Sequence, residues 1–74
     1  MSKKWLEKLN ELRTSEDLER EKLSLSDYHT IGSVVAKGRA IVVSLGVANW
    51  FKRNGANVYS NNGRFVINLW VTKN

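Results

Sequence analysis

The first half of the chain has a helical spacing of apolar residues, which recur every three or four positions between charged ones. Trp5, Leu9 and Leu12, for example, share one stripe of a helix. A hydroxyl residue followed three positions later by aspartate, as at Thr14 and Ser24, is typical of a helix start. The pattern predicts three helices, over residues 3–13, 15–23 and 27–37.

The next segment, residues 39–54, fits two structures. If the segment is a helix, its apolar residues form one stripe. The basic pair Lys52-Arg53, with Gly55 two residues further on, would then end that helix. As a strand followed by a helix, the three β-branched residues at positions 41–43 would be extended. We predict a continuous helix over 40–53, and the alternative is a strand over 39–44 that adds to a C-terminal hairpin.

The last third of the chain changes to an alternating pattern with a turn signal. Asn62-Gly63 suits a type I′ turn, because both central residues of that turn need a positive φ. We therefore predict strands over 56–60 and 64–71, with Tyr59 opposite Val66. In this register one face is apolar and suited to a core. The other face carries Asn57, Tyr59, Arg64, Val66, Asn68 and Trp70.

These elements predict an α+β fold in which N-terminal helices precede a C-terminal β-hairpin. A helix over 27–37, a short turn and a helix over 40–53 would form a helix-turn-helix unit, and the hairpin would follow where a winged helix has its wing. The expected architecture is therefore winged-helix-like. A chain of 74 residues predicts a single domain over 1–74, with a charged helical arm at 1–25 and a basic core at 26–74.

Charge is distributed unevenly between the two halves. All seven acidic residues lie between Glu7 and Asp27, whereas six basic residues and no acidic one lie between Ile31 and Asn74. A surface without interspersed acids attracts anions instead of neutralising itself. This distribution predicts that the second half faces an anionic partner.

Candidate chemistry is sparse. The chain has no cysteine and a single histidine, and it carries no metal-ligand spacing, nucleophile motif or glycine-rich phosphate loop. We therefore expect no enzyme activity, no cofactor and no metal site. The longest apolar run is far too short to cross a bilayer, and the lack of cysteine fits a reducing compartment, so we expect a cytoplasmic protein without a membrane partner.

The primary hypothesis is a small regulatory protein that binds nucleic acid, with DNA expected rather than RNA. Basic side chains would neutralise phosphates, asparagine and arginine suit base edges, and aromatic rings suit the stacking of unpaired bases. The candidate binding residues come from the 39–53 segment and the hairpin: Arg39, Asn49, Lys52, Arg53, Tyr59, Asn61, Asn62, Arg64 and Trp70.

The alternative hypothesis is a small protein that modulates or inhibits a nucleic-acid-processing complex, such as a phage-encoded anti-defence factor, by binding an acidic surface of that complex. Exposed Tyr59, Val66 and Trp70 would then anchor the interface, because aromatic residues and arginine dominate binding hot spots. The apolar 40–51 segment also predicts a homodimer, which is compatible with either function.

Overall fold

The computed structural model describes residues 4–70 and has an α+β fold, in which helices cover one face of an antiparallel sheet. Seven elements follow one another along the chain. They are α1 (Lys4–Glu11), α2 (Ser15–Arg20), α3 (Leu25–Lys37), β1 (Arg39–Val42), α4 (Leu45–Arg53), β2 (Asn57–Asn61) and β3 (Arg64–Asn68).

The starts of α2 and α3 lie at the predicted capping residues, although α3 begins at Leu25 and not at the predicted position 27. The hydroxyls of Thr14 and Ser24 accept hydrogen bonds from the backbone N–H groups of Asp17 and Asp27, and each aspartate accepts one in return from the backbone of its cap. Helix α2 is shorter than predicted, because Lys22 takes a left-handed φ of 59° that ends it.

The prediction of a continuous helix over 40–53 is wrong, and the alternative strand is confirmed, although it ends at Val42 and not at position 44. Gly38, at φ 78°, ends α3 in the left-handed conformation, and the chain then extends as β1. The β-branched residues at 41–43 favour this extended backbone. Ser44 starts α4 by accepting a hydrogen bond from the backbone N–H of Val47 at 3.3 Å.

The sheet has three strands in the order β1-β3-β2, so β3 lies in the centre. The predicted hairpin register is confirmed, with Tyr59 opposite Val66 and Asn61 opposite Arg64. Asn62 and Gly63 both have positive φ, at 54° and 78°, as a type I′ turn requires. Strand β1 pairs with the other edge of β3 and places Arg39 opposite Asn68 and Ile41 opposite Val66.

The predicted end of the last strand is only partly right. Strand β3 stops at Asn68, whereas the prediction extended it to 71, which lies outside the described residues. The chain bends because the side chain of Asn68 accepts a hydrogen bond from the backbone N–H of Trp70 at 3.0 Å. Leu69 still donates to the carbonyl of Gly38 at 2.7 Å, which fixes this bend against the start of β1.

The two faces of the sheet differ in what covers them. We call the face against α3 and α4 the core face, and the opposite face the open face. The core face carries Val42 and Ile67, which are buried in the hydrophobic core, and the half-buried Ala40, Val58 and Phe65, which pack against that core. The open face carries Arg39, Ile41, Asn57, Tyr59, Asn61, Arg64, Val66 and Asn68.

Helix α4 fills the core beneath the sheet. Its Trp50 and Phe51 are fully buried and form an edge-to-face pair with ring centroids 5.0 Å apart. Trp5 of α1 packs on Phe51 from the outside, with ring centroids 6.5 Å apart. The start of α4 is fixed by the hydroxyl of Ser44, which donates to the carboxylate of Asp27 in α3 at 2.9 Å. This bond holds α3 and α4 together at their N-terminal ends.

A winged-helix arrangement is compatible with this fold but is not confirmed. The β2–β3 hairpin has the expected position of a wing. The predicted short turn between two helices is absent within residues 4–70, because β1 separates α3 from α4. None of the helices in this part of the chain has the length and hydrophobicity needed to cross a lipid bilayer.

Candidate nucleic-acid interface

The open face is built in three cross-strand rows. The antiparallel pairing brings Arg39, Asn68 and Asn57 into one row and Ile41, Val66 and Tyr59 into the next. Arg64 and Asn61 form the third row, beside the hairpin turn. The two arginines are thus four residues apart in the register of β3, a span of about 13 Å along the sheet. An apolar and aromatic centre therefore lies between two polar rows that each contain one arginine.

Tyr59 is the aromatic residue of this face. Its side chain is 54 % exposed although it lies in the middle of a strand. Strand β2 is an edge strand, so no further strand covers the ring from the side. The phenyl rings of the core, by contrast, are buried or packed on the core cluster. Tyr59 can therefore offer an aromatic surface to a ligand without any loss of core packing.

One concave region lies on the open face, and a second lies beside it at the edge of the sheet. A shallow depression of about 340 Å³ is lined by Ile41, Asn61, Asn62, Arg64 and Val66. A smaller groove of about 100 Å³ lies between α4 and β2 and is lined by Ala48, Asn49, Lys52, Val58, Tyr59, Ser60 and Phe65. Because Tyr59 pairs with Val66 and also lines the groove, it connects the two regions. Polar and basic groups therefore surround the tyrosine on both sides.

The strands carry two arginines and no acidic residue, whereas helices α1–α3 carry charges of both signs. Every acidic residue belongs to α1, α2, α3 or the segment between α2 and α3, all in the helical part of the molecule. Between positions 28 and 70 the chain has five basic side chains and no carboxylate. With no carboxylate on its own strands, the open face has nothing nearby in sequence to cancel the charges of Arg39 and Arg64.

The structure brings most of the predicted site residues to this surface. Arg39, Tyr59, Asn61 and Arg64 lie on the open face, Asn62 lines its depression, and Asn49 with Lys52 lines the adjoining groove. All seven side chains are exposed, which a binding role requires. The pairing of β1 with β3 makes Arg39 part of the same face as the hairpin residues.

Two predicted site residues lie elsewhere. Arg53 points to the end of α2, where its guanidinium donates to the backbone carbonyl of Glu21 at 3.0 Å and lies 3.7 Å from the Glu21 carboxylate. Trp70 lies beyond the end of β3, and its indole covers the backbone of Gly38. Arg53 thus connects α4 to α2, and Trp70 contacts the turn between α3 and β1.

Sequence reasoning missed the exposed apolar residues around β1. Ile41 is 63 % exposed, Val43 is 75 % exposed and Leu45 is 60 % exposed. A continuous helix over 40–53 would bury part of this run. The incorrect helix prediction is therefore the reason that the exposed residues were not identified. The β-branched run at 41–43 was the signal that could have revealed an edge strand with an uncovered side.

Among residues 4–70 no group of three or more histidine, cysteine, aspartate or glutamate side chains is arranged to hold a metal ion. Comparison of the chain with protein-family models, with curated proteins and with solved structures found no match. The geometry and charge of the molecular surface are therefore the observations that bear on its function.

Proposed function

We propose that this protein is a small, non-catalytic regulatory protein that binds nucleic acid, with DNA as the expected ligand, through the open face of its sheet. The observation that supports this most strongly is the combination of an exposed tyrosine with an arginine row on either side of it and no acidic residue on the face. Phosphates attract such a surface, and bases stack on such a ring.

The charge distribution supports the same ligand. A polyanion approaching the molecule is attracted more to the sheet, which carries two arginines and no carboxylate, than to helices α1–α3, where basic and acidic side chains nearly cancel. Lys52 adds a third cation beside Tyr59, at the groove between α4 and β2. The asparagines next to these cations can donate and accept hydrogen bonds at base edges. The proposal includes a cytoplasmic location. The lack of cysteine fits that reducing compartment, and nucleic acid is present there.

The experiment compares two arginines that differ in position but not in charge. Arg64→Gln removes a cation from the open face, and Arg53→Gln removes one that contacts Glu21 on the helical side. Binding of labelled DNA is followed by fluorescence anisotropy over a series of salt concentrations. We expect Arg64→Gln to weaken binding and to reduce the slope of log affinity against log salt by about 1, as the loss of one phosphate contact does.

Arg53→Gln is the matched control, and we expect it to leave both the affinity and the salt slope close to those of the unmodified protein. Equal losses in the two variants would mean that only net charge attracts the ligand. An absence of binding even at low salt would contradict the proposal itself. Thermal unfolding of both variants checks that neither result comes from loss of the fold.

A second candidate function is supported by the exposed apolar run. Ile41, Val43 and Leu45 are exposed apolar residues close together in sequence, and Ile41 lies on the open face with the arginines, which suits a protein partner with an acidic rim. Under this proposal the protein modulates a nucleic-acid-processing complex. Partner capture before and after nuclease treatment separates the two candidates, because a protein complex held by direct contacts persists when nucleic acid is digested.

The same region also supports a homodimer as part of either proposal. Strand β1 is at the edge of the sheet, and it has neither a proline nor a lysine that would discourage another strand from pairing with it. Two copies paired along β1 would join their open faces into one sheet. Sedimentation over a range of protein concentrations tests this directly, and a strictly monomeric mass at the highest concentration would exclude the homodimer.

A further inference from the structure

We propose that the open face binds single-stranded rather than duplex nucleic acid, with Tyr59 stacking on an unpaired base while Arg39 and Arg64 contact different phosphates. This inference rests on the proposed function and specifies its ligand. A single strand exposes the faces of its bases, whereas the bases of a duplex are stacked on one another and leave only their edges accessible in the grooves. The shape of the open face and the positions of its side chains therefore determine whether a single strand or a duplex binds.

The position of the aromatic ring suits an unpaired base. Tyr59 lies in the body of a three-stranded sheet, which is broader than the single helix or two-stranded ribbon that a major groove admits, so its ring meets a ligand that lies across the sheet. An unpaired base, in contrast, can lie on a ring that is part of a sheet surface. The neighbouring Val66 and Ile41 extend this row with apolar side chains that suit the uncharged faces of bases.

The spacing of Arg39 and Arg64 also suits a single strand. Arg39 and Arg64 are separated by about 13 Å along the sheet, with the tyrosine row between them. This distance exceeds the length of one nucleotide, so one strand crossing the face contacts each arginine with a different phosphate. Bases between those phosphates then lie over the central row of Ile41, Val66 and Tyr59.

The polar and basic surface continues past the edge strand β2. The groove between α4 and β2 places Asn49 and Lys52 beside Tyr59, so a polar and basic path leads from the open face around the edge of the sheet. A flexible single strand can follow such a path around an edge. A duplex is stiff over the length of this small domain and cannot bend to the same extent at low energetic cost.

Helix α4, the element that a groove-reading protein would insert into DNA, is poorly placed for that role. Four of its nine residues are buried against the core: Val47, Ala48, Trp50 and Phe51. Its last residue, Arg53, is hydrogen-bonded to the carbonyl of Glu21. The helix is therefore committed to packing beneath the sheet, and its free polar residues Asn49 and Lys52 face the groove beside Tyr59.

The test measures binding of a labelled oligodeoxythymidine, of the duplex that it forms with oligodeoxyadenosine, and of oligouridine, to the full chain at one low salt concentration. We expect the single strands to bind at least about tenfold more tightly than the duplex, since stacking on an aromatic residue contributes about one order of magnitude or more per base. Tighter binding of oligouridine than of oligodeoxythymidine would support the inference and identify RNA as the ligand.

Two variants isolate the aromatic ring. Tyr59→Phe keeps a ring that can stack, and Tyr59→Thr removes it while keeping a residue that suits a strand. We expect Tyr59→Phe to bind oligodeoxythymidine within a few-fold of the unmodified protein and Tyr59→Thr to bind it about tenfold or more weakly. Inorganic polyphosphate, which has the charge but no bases, should bind Tyr59→Thr and the unmodified protein equally. Thermal unfolding establishes that both variants are folded.

The outcomes separate this inference from the proposed function. Binding of the duplex as tightly as the single strand, or equal affinity of Tyr59→Thr and Tyr59→Phe for oligodeoxythymidine, would overturn the inference and leave nucleic-acid binding in place. A larger effect of Tyr59→Thr on polyphosphate than on oligodeoxythymidine would overturn it as well. If the protein binds no nucleic acid, both the inference and the proposed function are contradicted.

Discussion

The two faces of the sheet are made by the same three strands and even by adjacent residues, yet they have opposite character. On β1, Val42 is buried against the helices while its neighbour Ile41 is largely exposed. On β3, Ile67 is fully buried, whereas Arg64 at the start of the strand and Asn68 at its end lie on the open face. The core face is uniformly apolar because it must stabilise the fold, whereas the open face combines arginine, asparagine, tyrosine and aliphatic residues.

This difference indicates where selection for function can act. A domain of this size has a marginal core, so each apolar residue of the core face is needed for stability. The open face contributes little to the core and can therefore carry residues for a ligand. Changes on the core face should alter stability and leave the affinity of the folded protein unchanged, and changes on the open face should do the reverse.

The largest expected effect is on the core face. Ile67→Ala should destabilise the protein by about 2–5 kcal/mol, because it leaves a cavity in a fully buried site, and Ile67→Val should cost about 0.5–1.5 kcal/mol. Val66→Ala, one residue away on the open face, should cost about 1 kcal/mol or less. Urea denaturation followed by circular dichroism measures all three. Similar losses at Val66 and Ile67 would contradict the assignment of the two faces.

An intermediate effect is expected at the glycines that have φ of 78°, Gly38 and Gly63. Alanine at either position should lose about 1 kcal/mol, since a side chain is strained in this conformation. A Cβ at Gly63 would meet open space, whereas one at Gly38 would collide with the indole of Trp70. Gly38→Ala should therefore cost more than Gly63→Ala in the same denaturation experiment. Equal costs would mean that Trp70 moves away freely and adds nothing to this end of the sheet.

The smallest effect concerns the helical side and pH. Hydrogen bonds from the backbone N–H groups of Arg13 and Thr14 to the carboxylate lower the pKa of Asp17. A carboxyl group whose pKa is lower in the folded chain stabilises the fold while it is ionised. That contribution is complete above the pKa of the unfolded chain and disappears as the pH falls through the folded pKa.

Asp17→Asn should therefore reduce the loss of thermal stability between neutral and acidic pH, with the difference confined to the range at and below the usual pKa of an aspartate. The effect should be small because the carboxyl group lies at the surface and is partly exposed to solvent. Ligand binding at neutral pH should not change, since the capping box of α2 belongs to the helical side. An unchanged stability profile in Asp17→Asn would show that the capping box makes no pH-dependent contribution.

The parts of the fold that could be predicted from sequence are those decided by local interactions. The hairpin register follows from the Asn62-Gly63 turn and from strict alternation, both of which are local signals, and it was predicted residue by residue. The starts of α2 and α3 follow from capping residues that act within one turn. The single strong ambiguity, β1, depends on pairing with β3, which comes more than twenty residues later in the chain.

The candidate site was predictable to the same extent. The sequence places Tyr59 and Arg64 on one polar face and Asn61 at the hairpin tip, and the structure brings all three to the open face because the predicted hairpin register is correct. Ile41 was missed because its exposure depends on the distant pairing that makes β1 an edge strand. Arg53 was assigned to the site from its charge alone, and its contact with Glu21 depends on how α2 packs near α4, which no local pattern specifies.

The most direct test of the central claim is a map of which surface the nucleic acid contacts. Side-chain amide signals in nitrogen–proton correlation spectra report on asparagines, and the chain offers a matched set: Asn57 and Asn61 on the open face, and Asn10 on α1. On titration with oligodeoxythymidine, the signals of Asn57 and Asn61 and the guanidinium signals of Arg39 and Arg64 should shift, while that of Asn10 stays in place. Shifts concentrated at Asn10, Arg13 and Arg20, with the open face unchanged, would contradict the assignment of the open face as the binding surface.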